Sequence, residues 1–208
     1  MTARVRCGWA EGRFPEYQRY HDEEWGVPVV EDGRQFEFLV LESAQAGLSW
    51  ATILRRREHY RRAFHGFDPE AVAAFDSADE ARLVGDSGII RNRAKIRAAI
   101  GNARAFLEVA EEWGSFSRYA WSFVDYRPRV GRWRTDGDVP VSSRASDALT
   151  ADMKARGFRF VGTRILYAHM QATGLVNDHL LRCFRRREIL AGPAPSQRPG
   201  AGGWPFRK

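Results

Sequence analysis

The sequence predicts an all-α protein. Apolar residues recur at helical spacing along most of the chain, helix-capping signals punctuate it, and strand-type alternation is scarce. Residues 35–47 place Phe36, Leu39, Val40 and Ser43 on one face and Phe38, Leu41 and Ala46 on others, and a helix apolar all round is a buried one. Residues 49–64 read as a second helix with Ser49 as its N-cap. Asp68-Pro69 is a cap followed by proline at the first helical position, and Ser77 with Glu80 reads as a capping box. Over 92–107, Ile96, Ala99, Ile100, Ala103 and Leu107 repeat with helical period. Ser146 is expected to cap a helix over 147–156, and further helices fit 163–173 and 177–187, with Asn177-Asp178 starting the last. Breakers over 125–145 predict a loop with short extended pieces, and GFRFVGT (157–163) is the best strand candidate. Pro and Gly dominate 191–208, which predicts disorder.

At 208 residues the chain suits one domain, or one domain with a small subdomain. With 44% hydrophobic and 28% charged residues it fits a soluble globule. A mean hydropathy of −0.48 and the lack of a long uncharged apolar run exclude a membrane span. No apolar stretch of the secretory type opens the chain, so a cytoplasmic protein is expected. Two cysteines exclude a disulfide-rich scaffold. The net charge is +7, and +6 of it lies in 182–208, so the body is nearly neutral. Within the body, 87–107 carries Arg91, Arg93, Lys95, Arg97 and Arg104 with no acid. That stripe would suit a phosphate backbone; a solvated helix face balanced by acids elsewhere explains it equally well.

Three constellations could carry chemistry. Cys7 and His21 lie near one end of the chain, His179 and Cys183 near the other. The latter two are spaced i, i+4, which on a helix puts both on one face, and two thiolates with two imidazoles would fill a closed, structural zinc tetrahedron. Two buried cysteines with incidental histidines are the alternative. The second constellation is the turn from Leu83 to Lys95, where a glycine-containing connection would leave unpaired amides at the next helix N-terminus, as a helix-hairpin-helix backbone clamp does. A plain interhelical turn is the alternative. The third gathers Trp9, Tyr17, Tyr20 and Trp25 in the first 25 residues, with Glu42 inside an apolar helix and Trp50 just beyond it. An unpaired buried carboxylate is costly, but with indoles nearby it would suit a flat, cationic ligand bearing N–H groups. Core packing of the tryptophans is the alternative. No P-loop, H-E-x-x-H or G-x-S-x-G occurs. His59 and His65 read as exposed, and His169 as packed.

The segments RCGWAEG (6–12), YHDEEWGVP (20–28), LESAQAGLSW (41–50), GIIRNRAKIRAAIGNARA (88–105) and GFRFVGTRILYAHMQATGLVNDH (157–179), with Cys183, closely resemble the DNA-3-methyladenine glycosylase I family. The resemblance runs over about 6–183. It implies an all-α helix-hairpin-helix DNA glycosylase fold, the hairpin at about 82–100, with a zinc-binding subdomain joining the N- and C-terminal segments. Residues 1–185 would then form the glycosylase domain and 186–208 a basic tail. Cys7, His21, His179 and Cys183 look like the zinc ligands. Glu42 looks like the carboxylate that reads the methylated adenine, Trp50 like the stacking ring, Tyr20 like a further base contact, and Trp9, Tyr17 and Trp25 like the lining. Gly47 and Leu48 look like the loop that fills the gap left by an extruded nucleotide. Gly88, Ile89, Ile90, Arg91, Arg93 and Lys95 look like the phosphate-binding hairpin. Ser43-Ala44 departs from a more polar pair that some members carry.

The implied activity is hydrolysis of the N-glycosidic bond of 3-methyladenine in alkylated double-stranded DNA, releasing the free base and leaving an abasic site. A structural zinc, a monomer, no membrane partner and association with the nucleoid are expected. No aspartate lies between Asp86 and Asp125, where many helix-hairpin-helix glycosylases place an essential one, and Glu108, Glu111 and Glu112 read as solvated. A glycosylase for a bulkier alkylated purine and a non-catalytic zinc-stapled DNA-binding module are the competing readings.

Overall fold

The computed structural model describes residues 4–192. It is built from eleven α-helices, four short 3-10 or π turns and one pair of two-residue strands among the described residues. The tail beyond residue 192, expected to be disordered, lies outside the described residues. None of the described helices is long and apolar enough to cross a membrane.

Helix α1 (Pro15–Arg19) runs into a π-helical turn, Tyr20–Glu24. The central helix α2 (Asp32–Gln45) is buried continuously from Gln35 to Ala44, as its all-round apolar pattern requires. The single helix expected over 49–64 is instead two, α3 (Trp50–Leu54) and α4 (Arg57–Ala63), with Ser49 capping the first through the Thr52 amide. The break at Arg55-Arg56 lets neighbouring arginines point opposite ways. Arg56 donates to the Ser87 carbonyl at 2.7 Å, whereas Arg57 turns inward to Glu24 and Glu37.

Asp68 caps α5 (Pro69–Ala73) as expected. The cap of α6 (Ser77–Gly85) is Asp76, paired with Asp79 in a capping box one residue earlier than Ser77 with Glu80. A carboxylate outcompetes the hydroxyl as acceptor for the first-turn amides. The long α7 (Arg93–Trp113) starts on Asn92 and stops at Gly114, whose φ of 79° ends the helix in the left-handed region. It packs on α5, α6 and α8 (Phe116–Ser122).

Ser143, not Ser146, caps α9 (Arg144–Ala155), and Ser146 supplies the reciprocal half of the box. GFRFVGT is no strand: Phe160 sits at φ 51°, and Asn102 accepts from the Arg159 amide and donates to its carbonyl. α10 (Thr163–Ala172) follows. The helix expected over 177–187 begins only at Phe184. Val176–Asn177 is strand β2, parallel to β1 (Arg129–Val130), and α11 spans Phe184–Ala191, past the domain boundary expected at 185. Asp178 is no cap. Its carboxylate accepts from Tyr167, Trp133 and Gln171 at 2.6–2.8 Å, and these three donors hold the chain out of helical geometry.

Two apolar cores result. The larger centres on Phe36, Phe106, Phe116 and Trp121; the smaller joins Cys7, Tyr17, Tyr20, Trp25, Phe38, Leu180 and Cys183. Between them lies an ion cluster. Arg57, 6% exposed, meets both Glu24 oxygens at 2.8–2.9 Å and Glu37 at 2.8 Å, with Arg34 and Arg61 outside it. Burial raises the Glu24 pKa, but the arginines outweigh it and hold the group below the usual carboxylate range. Arg57→Met is expected to cost about 3 kcal/mol, the low end for breaking a buried pair because Arg34 and Arg61 remain. Chemical denaturation checks this.

Candidate functional site: a ring-lined cavity beside a Cys/His cluster

Cys7, His21, His179 and Cys183 are all buried, and their ligand atoms lie within 4.8 Å of one another. Cys183 Sγ is 3.4 Å from His179 Nδ1 and 3.5 Å from His21 Nε2, and Cys7 Sγ is 3.6 Å from His179 Nδ1. His179 and Cys183 converge through the turn between β2 and α11, not along a helix face. The outer nitrogens are engaged: His179 Nε2 lies 2.8 Å from the Trp25 carbonyl, and His21 Nδ1 lies 2.7 Å from Asp22, which Arg6 also holds. A carbonyl can only accept, so the His179 proton sits on Nε2 and the lone pair on Nδ1 faces the sulfurs. His21 likewise turns Nε2 inward, where it accepts from the Cys7 amide at 3.3 Å. Two sulfurs and two inward ring nitrogens, with the outer nitrogens already partnered, fit a tetrahedral zinc ion, which would take the His21 Nε2 lone pair in place of the Cys7 amide.

A cavity of about 450 Å³ opens beside this cluster. Its walls include every expected base-binding residue: Trp9, Tyr17, Tyr20, Trp25, Glu42 and Trp50. The rings pack on one another, Trp9 edge-on to Trp25 at 5.0 Å and Tyr20 tilted against Trp50 at 5.0 Å. Trp25 in turn meets the His179 ring at 4.6 Å, so the cluster braces the cavity wall. Glu42 is 5% exposed, and among the described residues its carboxylate has no hydrogen-bond partner. Burial pushes its pKa up to about 8. The Trp50 indole N–H is also buried without a partner. An unpaired carboxyl and an unpaired donor among aromatic faces fit a flat, positively charged ligand that carries both N–H groups and an acceptor.

Further lining residues lie outside the expected set, although those from α10 fall within the segment 157–179 that carries the family resemblance. Arg164, Tyr167, Ala168 and Gln171 lie at i, i+3, i+4 and i+7 of α10, and Asp136 and Val139–Val141 come from the loop before α9. The polar face of 163–173 was the available signal for the first group.

The loop after α2 leads past the cavity. Gly47 has φ 80°, which favours glycine, and Leu48 is 41% exposed. The turn 86–92 between α6 and α7 departs from expectation. The amides of Gly88, Ile89 and Ile90 are already used by the Asp86 carboxylate, the Asp86 carbonyl and the Tyr60 hydroxyl, and Ile89 is buried. The amides with no partner among the described residues are those of Ser87, Arg91, Arg93 and Ala94, so the free donors flank the three expected amides. The basic stripe is also largely committed. Arg93 and Arg97 pair with Glu80, Arg104 donates to the Ala73 and Phe75 carbonyls, and Lys95 donates to those of Ala44 and Ala46. His59 and His65 are exposed, and His169 is buried against Gln35.

The described residues thus form a mostly helical protein with a ring-lined cavity, an exposed leucine on the loop after α2 and a basic interhelical turn. The chain belongs to the methyladenine glycosylase family, whose model matches residues 9–186. It is 52% identical over 178 residues to DNA-3-methyladenine glycosylase 1 of Escherichia coli strain K12, covering 86% of this chain and 95% of that protein. The crystal structure of a 3-methyladenine DNA glycosylase I superposes with a TM-score of 0.83 at 49% identity, covering 86% of this chain and 98% of the other. A tyrosine-to-phenylalanine variant of such an enzyme, in complex with 3-methyladenine, matches at TM-score 0.84 and 34% identity, covering 87% of this chain and 97% of the other.

Proposed function

We propose that this protein is a base-excision repair glycosylase that hydrolyses the N-glycosidic bond of 3-methyladenine in alkylated duplex DNA. The observation that carries the reading is the buried, unpartnered Glu42 carboxyl in a ring-lined cavity. The damaged nucleotide leaves the stack and enters that cavity. Methylation at N3 makes the base cationic. With a pKa near 8, Glu42 is largely protonated in the empty cavity at neutral pH. A cationic base displaces that proton to solvent and pairs with the carboxylate; neutral adenine has no charge to offset a buried anion. Trp50 stacks on the base, with Tyr20, Trp9, Tyr17 and Trp25 around it, and Leu48 on the Gly47 loop fills the gap in the duplex.

The base then departs as a neutral leaving group while water attacks an oxocarbenium-like sugar. Once the bond is broken the charge pair is gone. Glu42 regains its proton, and the hold on the product weakens. No other carboxylate is assigned to the water.

Residues 82–100 act as a helix-hairpin-helix clamp on the DNA backbone, with Arg91 as its cation and Arg93 joining once a phosphate replaces Glu80. Zinc held by Cys7, His21, His179 and Cys183 is structural: four protein ligands leave no open position for chemistry. Residues 1–185 form the glycosylase domain, the basic segment 186–208 adds to it, and the enzyme acts as a cytoplasmic monomer on the nucleoid.

Incubation with methylated duplex, followed by chromatography of the released bases, tests this. Free 3-methyladenine is expected. Release of only bulkier alkylated purines, or duplex binding without release by the folded protein, would overturn it.

A further inference from the structure

Lys95 lies in the first turn of α7, but its ammonium is turned back into the protein. It donates to the Ala44 carbonyl at 2.9 Å and the Ala46 carbonyl at 2.6 Å, the last turn of α2 and the residue beyond it. Carbonyls at a helix C-terminus lack intrahelical partners and carry the negative end of the dipole, so one cation satisfies both needs. The Lys95 amide is held at 3.1 Å by the Asn92 side chain, which closes the turn 86–92. Glu42 lies just upstream of Ala44 on α2, and Ala46 leads directly into Gly47 and exposed Leu48. One side chain thus joins the cationic turn, the Glu42 helix and the leucine loop.

Resting on the glycosylase reading, we propose that Lys95 is a positioning residue that couples the backbone-gripping turn to the gap-filling loop and Glu42, and not a phosphate ligand. A duplex seated on the turn then fixes where Leu48 enters the stack and where Glu42 meets the extruded base. Any slack between the two would misplace the reacting nucleotide.

Lys95→Met keeps the length of the stem and removes the charge; Lys95→Arg keeps the charge. Three readouts on the full-length protein separate the roles: single-turnover release of 3-methyladenine from methylated duplex, binding of free 3-methyladenine followed by tryptophan fluorescence, and the salt dependence of binding to undamaged duplex. Lys95→Met is expected to slow release roughly ten- to a hundredfold, the scale of a misplaced substrate. Free-base binding and the salt slope stay as in the wild type, and Lys95→Arg recovers part of the rate. A slope reduced by about one counterion would make Lys95 a phosphate contact and overturn the inference. Unchanged release by Lys95→Met would overturn it too, as would joint loss of free-base binding and thermal stability. A wild-type protein that released no base would overturn the glycosylase reading and this coupling with it.

Discussion

Glu42→Gln is expected to lose base release by roughly a hundredfold while the folded protein becomes more stable above neutral pH. The two effects have one cause. The carboxyl is buried without a partner, and its pKa is pushed up to about 8 from an ordinary value of 4.5. A carboxyl whose folded pKa is raised contributes stability that is fully present below about pH 4.5 and is lost as pH rises through about 8. Each tenfold change in proton affinity is worth roughly 1.4 kcal/mol, so the loss reaches several kcal/mol in all. Glutamine carries no such penalty, so the unfolding temperatures of variant and wild type should be close at pH 4.5 and diverge by pH 8.5, the variant being higher. Activity runs the other way. Binding a cationic base needs the anion, so kcat/KM should climb with pH and level off near pH 8, a slope absent from Glu42→Gln. The rate loss follows from removing a charge-assisted hydrogen bond in a desolvated site. Retained 3-methyladenine release in the variant, or a flat wild-type profile between pH 6 and 8, would remove Glu42 from the role given to it.

Removing the metal is expected to be the most damaging change to the fold. The protein should carry one zinc per chain by elemental analysis, and a strong chelator or Cys183→Ser should lower the unfolding temperature by more than about 10 °C. At this length 1 kcal/mol corresponds to roughly 2–4 °C, and structural zinc sites contribute many kcal/mol. Base binding should fall in parallel, because the His179 ring supports Trp25 in the cavity wall. Unaltered stability after complete metal removal would reduce the cluster to two packed cysteines and two histidines.

The helical class was legible because it is written in local pattern. The Asp68-Pro69 cap, the period of 92–107 and the all-round apolar face of α2 each act over a few residues. The four Cys/His residues and the six pocket residues were also named from sequence. Spacing and clustering suggested them, and the family resemblance gave them roles. What stayed hidden depends on distant partners. Nothing near residue 178 announces that Tyr167, Trp133 and Gln171 will hold Asp178 and replace a helix by a strand. The break at Arg55-Arg56 is set by Glu24, Glu37 and Ser87, which local sequence does not bring near. In the turn 86–92 Asp86 takes the Gly88 and Ile89 amides locally, but the acceptor of the Ile90 amide, the Tyr60 hydroxyl, comes from α4. Lys95 looked like a surface cation until α2 ended beside it.

A segment late in the chain, 171–184, holds the first residues described. The Phe184 amide donates to the Val5 carbonyl, the Leu180 amide to the Cys7 sulfur, and the Gly26 and Val29 amides reach the Gln171 and Thr173 carbonyls. Four of the six residues proposed to read the base lie within the first 25 positions. A nascent chain still threaded through the ribosome therefore has these residues but not the segment that fixes them. On the proposed reading, a chain truncated before residue 176 is expected to release no 3-methyladenine at all rather than a reduced amount, which the base-release assay checks.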